Sequence, residues 1–318
     1  LFSVIIVNYN GEAYLRRAVE ALAGQSLSAF EAFIVDNGST DRSLASLSDL
    51  DDRFRVIKAG ENLGFAAGNN LAAVQARADW IVTLNPDAFA RPDWLANLCR
   101  AITRNPHVTM LGSMQIAADN PDLFDGTGDE VSIFGVAYRA GYGKAVRTIT
   151  EDFPVFGPCA AAAAYRRDHF EAAGGFDERF FCYHEDVDLA LKMRRLGGRA
   201  VQVHDAIVDH VGSGITGTAS DFAVYHGTRN RIWTWFASMP TGLMIALMPL
   251  HIGANIAYLY WSLFRPGRFS PTWRGIRDAL RGLPEILRKR RHYETKGTVG
   301  GMLVWNPMKV IRRRNKVQ

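Results

Sequence analysis

Cysteine is scarce in this 318-residue sequence: Cys99, Cys159 and Cys182 are the whole set, odd in number and without a CxxC pair. Such a set supplies no disulfide framework, so reduced thiols in a cytoplasmic protein are the simplest expectation. The first residues lack the basic segment, apolar run and small-residue cleavage site of a secretory signal; Phe2 to Val7 is apolar but strand-length, and leads straight into Asn8. Leu1 in place of methionine reads as a trimmed start. No repeat of fixed period is present, which sets repeat architectures aside. The longest absence is of charge: between Ile232 and Phe264 there is no Asp, Glu, Lys or Arg.

What is present fits a globular protein. Apolar residues make up 48% of the chain, and the length permits a large core, as one large domain with an appendage or as two domains. The net charge of +5 conceals a split. From Arg265 onward 15 Lys and Arg face only Asp278, Glu285 and Glu294, whereas the preceding part carries 22 basic and 29 acidic residues. An acidic body with a basic tail predicts two surfaces with different partners.

Phe2 to Val7 ends in Asn8-Tyr9-Asn10-Gly11, and Leu15, Ala18, Val19 and Leu22 follow at helical spacing. This β-turn-α pattern returns with a strand near Phe30 to Val35 and a helix from about Ser43, then with Arg53 to Lys58 and a helix from about Ala66 to Ala76. Trp80 to Leu84 precedes a helix that Pro92 opens and that runs through Trp94, Leu95, Leu98 and Ile102. The alternation predicts an α/β fold with a mostly parallel central sheet covered by helices on both faces. Val108 to Met114 continues it, after which Asp119 to Gly143, rich in Gly and Asp, reads as loops or a small excursion. Pro158 to Ala164 reads as a buried strand, Glu185 to Leu196 as a helix stopped by Gly197, and Ala200 to Val203 and Ala206 to Val211 as short extended pieces.

The uncharged segment carries Trp233, Trp235, Tyr258, Tyr260 and Trp261 towards its ends. Roughly 20 apolar residues cross a bilayer, and aromatic rings favour its interface. Pro240, Pro249, His251 and Asn255 disfavour an unbroken span, so broken helices embedded in or lying on one leaflet are expected; a true span, or burial against the body or a partner, is the alternative. The same helices could equally meet in a homodimer. The basic runs beyond, Arg288-Lys289-Arg290-Arg291 and Arg312-Arg313-Arg314, suit anionic lipid on the cytoplasmic side of a membrane, or a solvated helix face. No nucleic-acid module accompanies the charge, so no nucleic acid is expected as a partner. The expected division is residues 1–225 as the α/β domain and 226–318 as an apolar and basic helical region.

Three acidic sites sit where apolar runs end: Asp36 after Phe33-Ile34-Val35, Asp87 in Leu84-Asn85-Pro86-Asp87, and Glu185-Asp186 after Phe180-Phe181-Cys182-Tyr183-His184. Ligands of open α/β sheets bind at the carboxyl ends of strands, so the pattern predicts one acidic, cation-using cleft. Asp36 is suited to accept hydrogen bonds from a pyrimidine N–H or a ribose hydroxyl, and Tyr9 offers a ring for a base; an Asx turn and a packed strand end compete with these roles. Gly64, Gly68 and Asn69 could let backbone and amide groups approach a nucleotide, or could serve helix geometry alone. Asp186 opens a helix, where a carboxylate also caps amides.

Val4 to Asn10, Val35 to Asp41, Glu61 to Asn70 and Leu84 to Asp87 occur in that order, and His184-Glu185-Asp186 follows. The ordered set closely resembles the inverting glycosyltransferase family 2, and within it the bacterial rhamnosyltransferase-like branch. The resemblance implies the GT-A nucleotide-sugar-binding fold and a nucleotide-sugar donor such as dTDP-rhamnose. It further implies a glycan or polyprenyl-diphosphate-linked acceptor in surface-polysaccharide or cell-wall synthesis, and a peripheral or monotopic place on the cytoplasmic face of the bacterial inner membrane.

By that resemblance Tyr9 and Asp36 match base-binding positions. Asn85-Pro86-Asp87 stands where the family has a metal-binding DxD, with Asn85 replacing the first Asp. Asp87 is then the first ligand for Mg²⁺ or Mn²⁺, which prefer hard oxygen donors, and Asn85 contacts ribose or ligates through its carbonyl. His210 resembles the histidine that completes the metal site after the last core strand, with His204 the weaker alternative. Asp186 matches the base that takes the acceptor proton; Glu185 binds acceptor or orients the loop, and Asp188 is a lesser candidate. His226, Arg229 and Arg231, just before the apolar segment, could hold the diphosphate of donor or lipid acceptor, or anchor at a membrane surface. The rival functions are a sugar-nucleotide nucleotidyltransferase and a non-catalytic membrane adaptor with a sugar-nucleotide fold.

Overall fold

The structure, a computed structural model, describes residues 1–47, 50–132, 134–212 and 220–294. The run Arg312-Arg313-Arg314 and the side chain of Arg291 lie outside the described part. Four parallel strands form one half of the central sheet: β1 (Phe2–Asn8), β2 (Phe30–Asp36), β3 (Phe54–Lys58) and β4 (Trp80–Leu84), in spatial order β4-β1-β2-β3. Successive side chains of a strand point to opposite faces, and both faces here are covered. Val4 and Ile6 pack with Leu15 and Leu22 of α1 (Leu15–Ala23) and with Trp94 and Leu98 of α3 (Trp94–Arg104). Ile5 and Val7 pack on the other side with Ala66 of α2 (Gly64–Ala73) and with Tyr165, Phe176 and Leu189.

The second half of the sheet is mixed where a mostly parallel sheet was expected. β5 (Ala88–Ala90), β6 (Met110–Ala117), β7 (Asn120–Gly126), β8 (Asp129–Val131), β9 (Ala137–Arg139), β10 (Phe153–Pro154), β11 (Ala162–Arg166) and β12 (Ala200–His210) follow in sequence, with β8 and β9 paired as a separate two-stranded sheet. β11 lies antiparallel between β4 and β6, and β12 lies parallel to β6. Three local expectations are corrected. The helix expected from Ser43 is a single tight turn, Leu44–Ser46, because Asp41 engages the backbone N–H and hydroxyl of Ser43 and competes with a longer helix. Asp119 to Gly143 holds three strands; β7 pairs with β6 through two register shifts, which breaks the alternation that would have betrayed it. The two extended pieces after Ala200 are one strand, bulged between Val203 and Ile207.

Helices α4 (Arg167–Ala172) and α5 (Glu185–Arg195) complete the α/β body, and α6 (Asp221–Ser238), α7 (Thr241–Leu263) and α8 (Phe269–Glu294) close the described chain. The uncharged segment is divided by the break at Pro240. Its first part belongs to α6 and is buried, with Ile232, Trp233 and Ala237 packed against Phe180 of the body and Ala279 and Ile286 of α8. Its second part is α7, 23 residues and about 35 Å long, long and apolar enough to cross a membrane. Ile245, Ile256, Tyr260 and Phe264 point outwards along it or at its end, while His251, Asn255 and Ser262 form a polar stripe turned to the body. The division expected between residues 225 and 226 falls inside α6.

Candidate active site

β1, β2 and β4 end at one edge of the sheet. β12 ends there too, because β6 and β4 are both antiparallel to β11 and β12 is parallel to β6. That edge therefore collects Tyr9, Asp36, Asn85 to Asp87 and His210 from four strand ends. Ala160 and Ala161, just ahead of β11, reach the same edge: the Asn85 N–H donates to the Ala161 carbonyl at 2.8 Å, and the Ala160 N–H donates to Asp186 Oδ2 at 3.1 Å. Two consecutive residues thus hang Asp186 beside the Asn85–Asp87 turn.

β5 turns back along β12 with Ala88 opposite His210, which brings Asp87 Oδ1 to 3.4 Å from His210 Nε2. Asp125 Oδ2 lies 2.7 Å from His210 Nδ1 on the other side of the ring, and Arg139 contacts Asp125 in turn. All three of Asp87, His210 and Asp125 are buried. Burial opposes charge on the imidazole, but the hydrogen bonds to Asp125 and Asp87 hold its pKa above the ordinary value. Asp125, despite its burial, is held below the usual carboxylate range by His210 and Arg139. A carboxylate on Nδ1 with Nε2 facing a second carboxylate is the arrangement by which proteins orient a histidine towards a metal. Asn85 Oδ1 is buried without a partner at the same turn. A divalent ion fits this donor set: Asp87 and His210 as ligands, Asn85 as an oxygen nearby.

The loop ahead of α5 is strained, with Phe181, Tyr183 and His184 all at positive φ, a region that non-glycine residues seldom occupy. It is pinned from α6. Asn230 Nδ2 donates to the carbonyls of Phe180, Cys182 and Tyr183 at 2.7 to 2.9 Å, and Arg229 donates to those of Arg179 and Phe180. The loop delivers Glu185, buried with Oε2 unpartnered, and Asp186, half-buried, at the first turn of α5. Burial raises the pKa of Asp186; the N–H groups of Ala160 and Val187 and the charge of Arg139 offset part of this. Burial, and then the charge of Asp186, push Glu185 and Asp129 well above the carboxylate range. A carboxylate of raised pKa is a stronger base.

The donor-side candidates keep their strand-end positions. Tyr9 is exposed. Asp36 accepts from the Ser39 N–H at 3.0 Å, the local turn bond that competes with a ligand role. Gly64 has φ +81°, and a Cβ there would lie 2.6 Å from the Phe181 ring; one at Gly68 would lie 2.7 Å from Val7. Asn69 donates to the Phe65 carbonyl one turn back, leaving its own oxygen buried and unpartnered. Packing against Phe181 and β1 is thus a sufficient reason for both glycines.

The cations ahead of the apolar segment are not equivalent. His226 stacks on Phe181 at 5.4 Å and has its pKa pushed down to about 4, by burial and then by Arg229. Arg229 is committed to the loop carbonyls and to the faces of Tyr225 and Trp233. Arg231 is buried and turned to α7. Asp188 is locked to Lys192 at 2.9 Å and accepts from the Ser238 hydroxyl at 2.6 Å, a structural tie between α5 and α6. His204 sits with Asp152 and Asp205, but Arg104 bonds both carboxylates and His204 Nδ1 meets Asp152, so these groups are already engaged with one another. It lies six residues before His210 on β12, about 20 Å away along an extended strand. Asp125, Asp129 and Arg139 escaped the sequence reading, although Leu123-Phe124-Asp125 repeats the apolar-run-then-acid signal of Asp36 and Asp87.

Comparison with known proteins agrees with this geometry. The profile of glycosyl transferase family 2 matches residues 3–174. Over 252 residues the chain is 28% identical to an N-acetylglucosaminyl-diphospho-decaprenol L-rhamnosyltransferase of Mycobacterium tuberculosis, covering 70% of this chain and 80% of that one. Among solved structures, S. aureus TarS superposes with TM-score 0.60 at 17% identity over 93% of this chain, which spans 53% of TarS. The mannosyltransferase PcManGT of Pyrobaculum calidifontis, solved with GDP-Man and Mn²⁺, superposes with TM-score 0.54 at 16% identity over 99% of this chain and 79% of that one. At such identities the structures speak for the fold, which is GT-A. With the family profile covering more than half of its length, this chain belongs to glycosyl transferase family 2.

Proposed function

We propose that this glycosyltransferase moves a sugar, rhamnose from dTDP-rhamnose in the first instance, with inversion, onto a glycan or polyprenyl-diphosphate-linked acceptor at the cytoplasmic face of a bacterial membrane. One observation carries the reading: Asp186, a carboxylate of raised pKa, is tethered through Ala160 and Ala161 to the turn that bears Asp87. The base and the leaving-group end of the reaction thereby share one strand edge. The M. tuberculosis relative supports a lipid-linked acceptor and a rhamnosyl donor.

In the mechanism we infer, Tyr9 and Asp36 hold the nucleoside, and Asp87 and His210 hold Mg²⁺ or Mn²⁺. That ion, when bound, offsets the charge that gathers on the departing diphosphate. Asp186 accepts the proton of the acceptor hydroxyl as its oxygen attacks the anomeric carbon, and the nucleoside diphosphate leaves from the opposite side. The oxygen–carbon bond forms as the carbon–phosphate-oxygen bond breaks. Glu185, whose pKa burial pushes well above the carboxylate range, stands beside the base and binds the acceptor. The exposed apolar face of α7, beside the basic α8, rests on the membrane and keeps the site within reach of a lipid-linked acceptor.

A donor screen tests this with purified protein and several nucleotide sugars, scored by nucleoside diphosphate release and by NMR of the product anomer. dTDP-rhamnose turnover with an inverted product supports the proposal. Release of pyrophosphate from nucleoside triphosphates would instead make the protein a nucleotidyltransferase, and donor binding without turnover on any acceptor would make it an adaptor.

A further inference from the structure

Arg231 is the predicted phosphate-binding arginine that the fold buries. It is 9% exposed, yet among the described residues no carboxylate pairs with it. Nε and one terminal nitrogen donate to Asn255 Oδ1 at 3.3 and 2.7 Å, and the guanidinium lies 4.8 Å from the centre of the Tyr258 ring. An amide oxygen and a ring face give it partial negative charge only, and a buried guanidinium without a counter-anion is costly. A guanidinium has five N–H donors, and these bonds leave others to spare. Both partners belong to α7, on the body-facing stripe of a helix whose other face is apolar and exposed. On the inner side, the charge of Arg231 is close enough to help depress the pKa of His184, the residue before Glu185 and Asp186, whose buried Nδ1 has no partner. The cation therefore stands on the seam between the apolar helix and the catalytic loop.

We propose that Arg231, with Asn255 as its positioning partner, binds the diphosphate of a lipid-linked acceptor, whose hydrocarbon lies along the exposed face of α7 while its sugar reaches Asp186. This rests on the lipid-linked acceptor in the function proposed above. A planar fork matches phosphate oxygens two at a time, which a lone lysine does not.

Binding to the full-length protein in detergent tests the proposal without any transfer reaction, using farnesyl diphosphate, free pyrophosphate and phosphatidylglycerol vesicles as separate probes. Wild type should bind farnesyl diphosphate more tightly than pyrophosphate. Arg231→Ala should weaken that binding about tenfold or more, and Arg231→Lys less. Asn255→Asp supplies the missing carboxylate to an intact Arg231 and should weaken farnesyl diphosphate as Arg231→Ala does, with a melting temperature that does not fall. Affinity for dTDP should stay level in all three, which separates this site from the donor site. Unchanged farnesyl diphosphate binding in Arg231→Ala or folded Asn255→Asp overturns the proposal. So does equal affinity for pyrophosphate, or an effect confined to phosphatidylglycerol vesicles. A protein that binds no nucleotide sugar but still binds farnesyl diphosphate through Arg231 would refute the enzymatic reading while leaving this site standing.

Discussion

His210 stands between two carboxylates, with Nδ1 2.7 Å from Asp125 and Nε2 3.4 Å from Asp87. Asp125 is then an orienting residue, and its loss should loosen a metal site it does not itself form. Asp125→Asn should lower Mn²⁺ affinity, measured by titration in the presence of a nucleoside diphosphate, by about 10- to 100-fold. An unchanged Mn²⁺ affinity would reduce Asp125 to a partner of Arg139 alone.

Asp186→Asn keeps an oxygen to accept from Ala160 but removes the base. Transfer should fall by about 10²-fold or more while dTDP-sugar binding stays near wild type. Near-normal turnover would take the base role from Asp186.

The same substitution has a pH signature in stability. Burial holds the folded pKa of Asp186 above its unfolded value, so its contribution is fully present below the unfolded pKa and is lost as pH rises through the folded one. Asn does not ionise. The melting temperature of Asp186→Asn relative to wild type should therefore climb as pH rises above the ordinary carboxylate pKa of about 4, and a flat difference would show that the carboxyl is not raised.

Asn230 pins the strained loop through three carbonyls, without reaching for a substrate. Asn230→Ala should lower kcat at least about tenfold with little change in donor affinity, because the carboxylates of Glu185 and Asp186 lose their fixed position. Equal kcat in a folded variant would mean that the loop holds its shape unaided.

Cutting the chain at Ile232 is a poor test of membrane binding, since Trp233 and Trp235 are core residues. Ile245→Asp with Ile256→Asp charges only the outward face of α7, where the two side chains are 63% and 62% exposed. Binding to anionic vesicles should drop about tenfold or more, with the fold intact by circular dichroism. Full retention would place the membrane contact elsewhere.

Local pattern carried far in this chain. A strand buried on both faces must be a continuous apolar run, and a helix against it must repeat its apolar residues every three or four positions, so β1, β2, β4, α1 and α3 were legible from Phe2 to Ile102 within a few residues. The acids that close those runs marked Asp36 and Asp87, because a strand end is where a side chain can leave the core for a ligand; the apolar run that marked Asp186 is instead a tight turn and a strained loop leading into α5. Further along, β6, β11 and α5 were legible too, but the pairings that join the elements were not. β7 was missed because two register shifts destroy alternation, and with it went Asp125, the residue behind His210. That Asp87, Asp125 and His210 meet depends on β5 folding back along β12 and on β11 running antiparallel between β4 and β6, pairings made between segments far apart in the chain. Only tertiary packing could sort the cations of α6: Arg229 is consumed by backbone carbonyls and His226 by aromatic stacking, while Arg231 is buried against Asn255 with no carboxylate partner among the described residues. Residue type announces a charge, but its counter-charge is set by whatever the fold brings alongside.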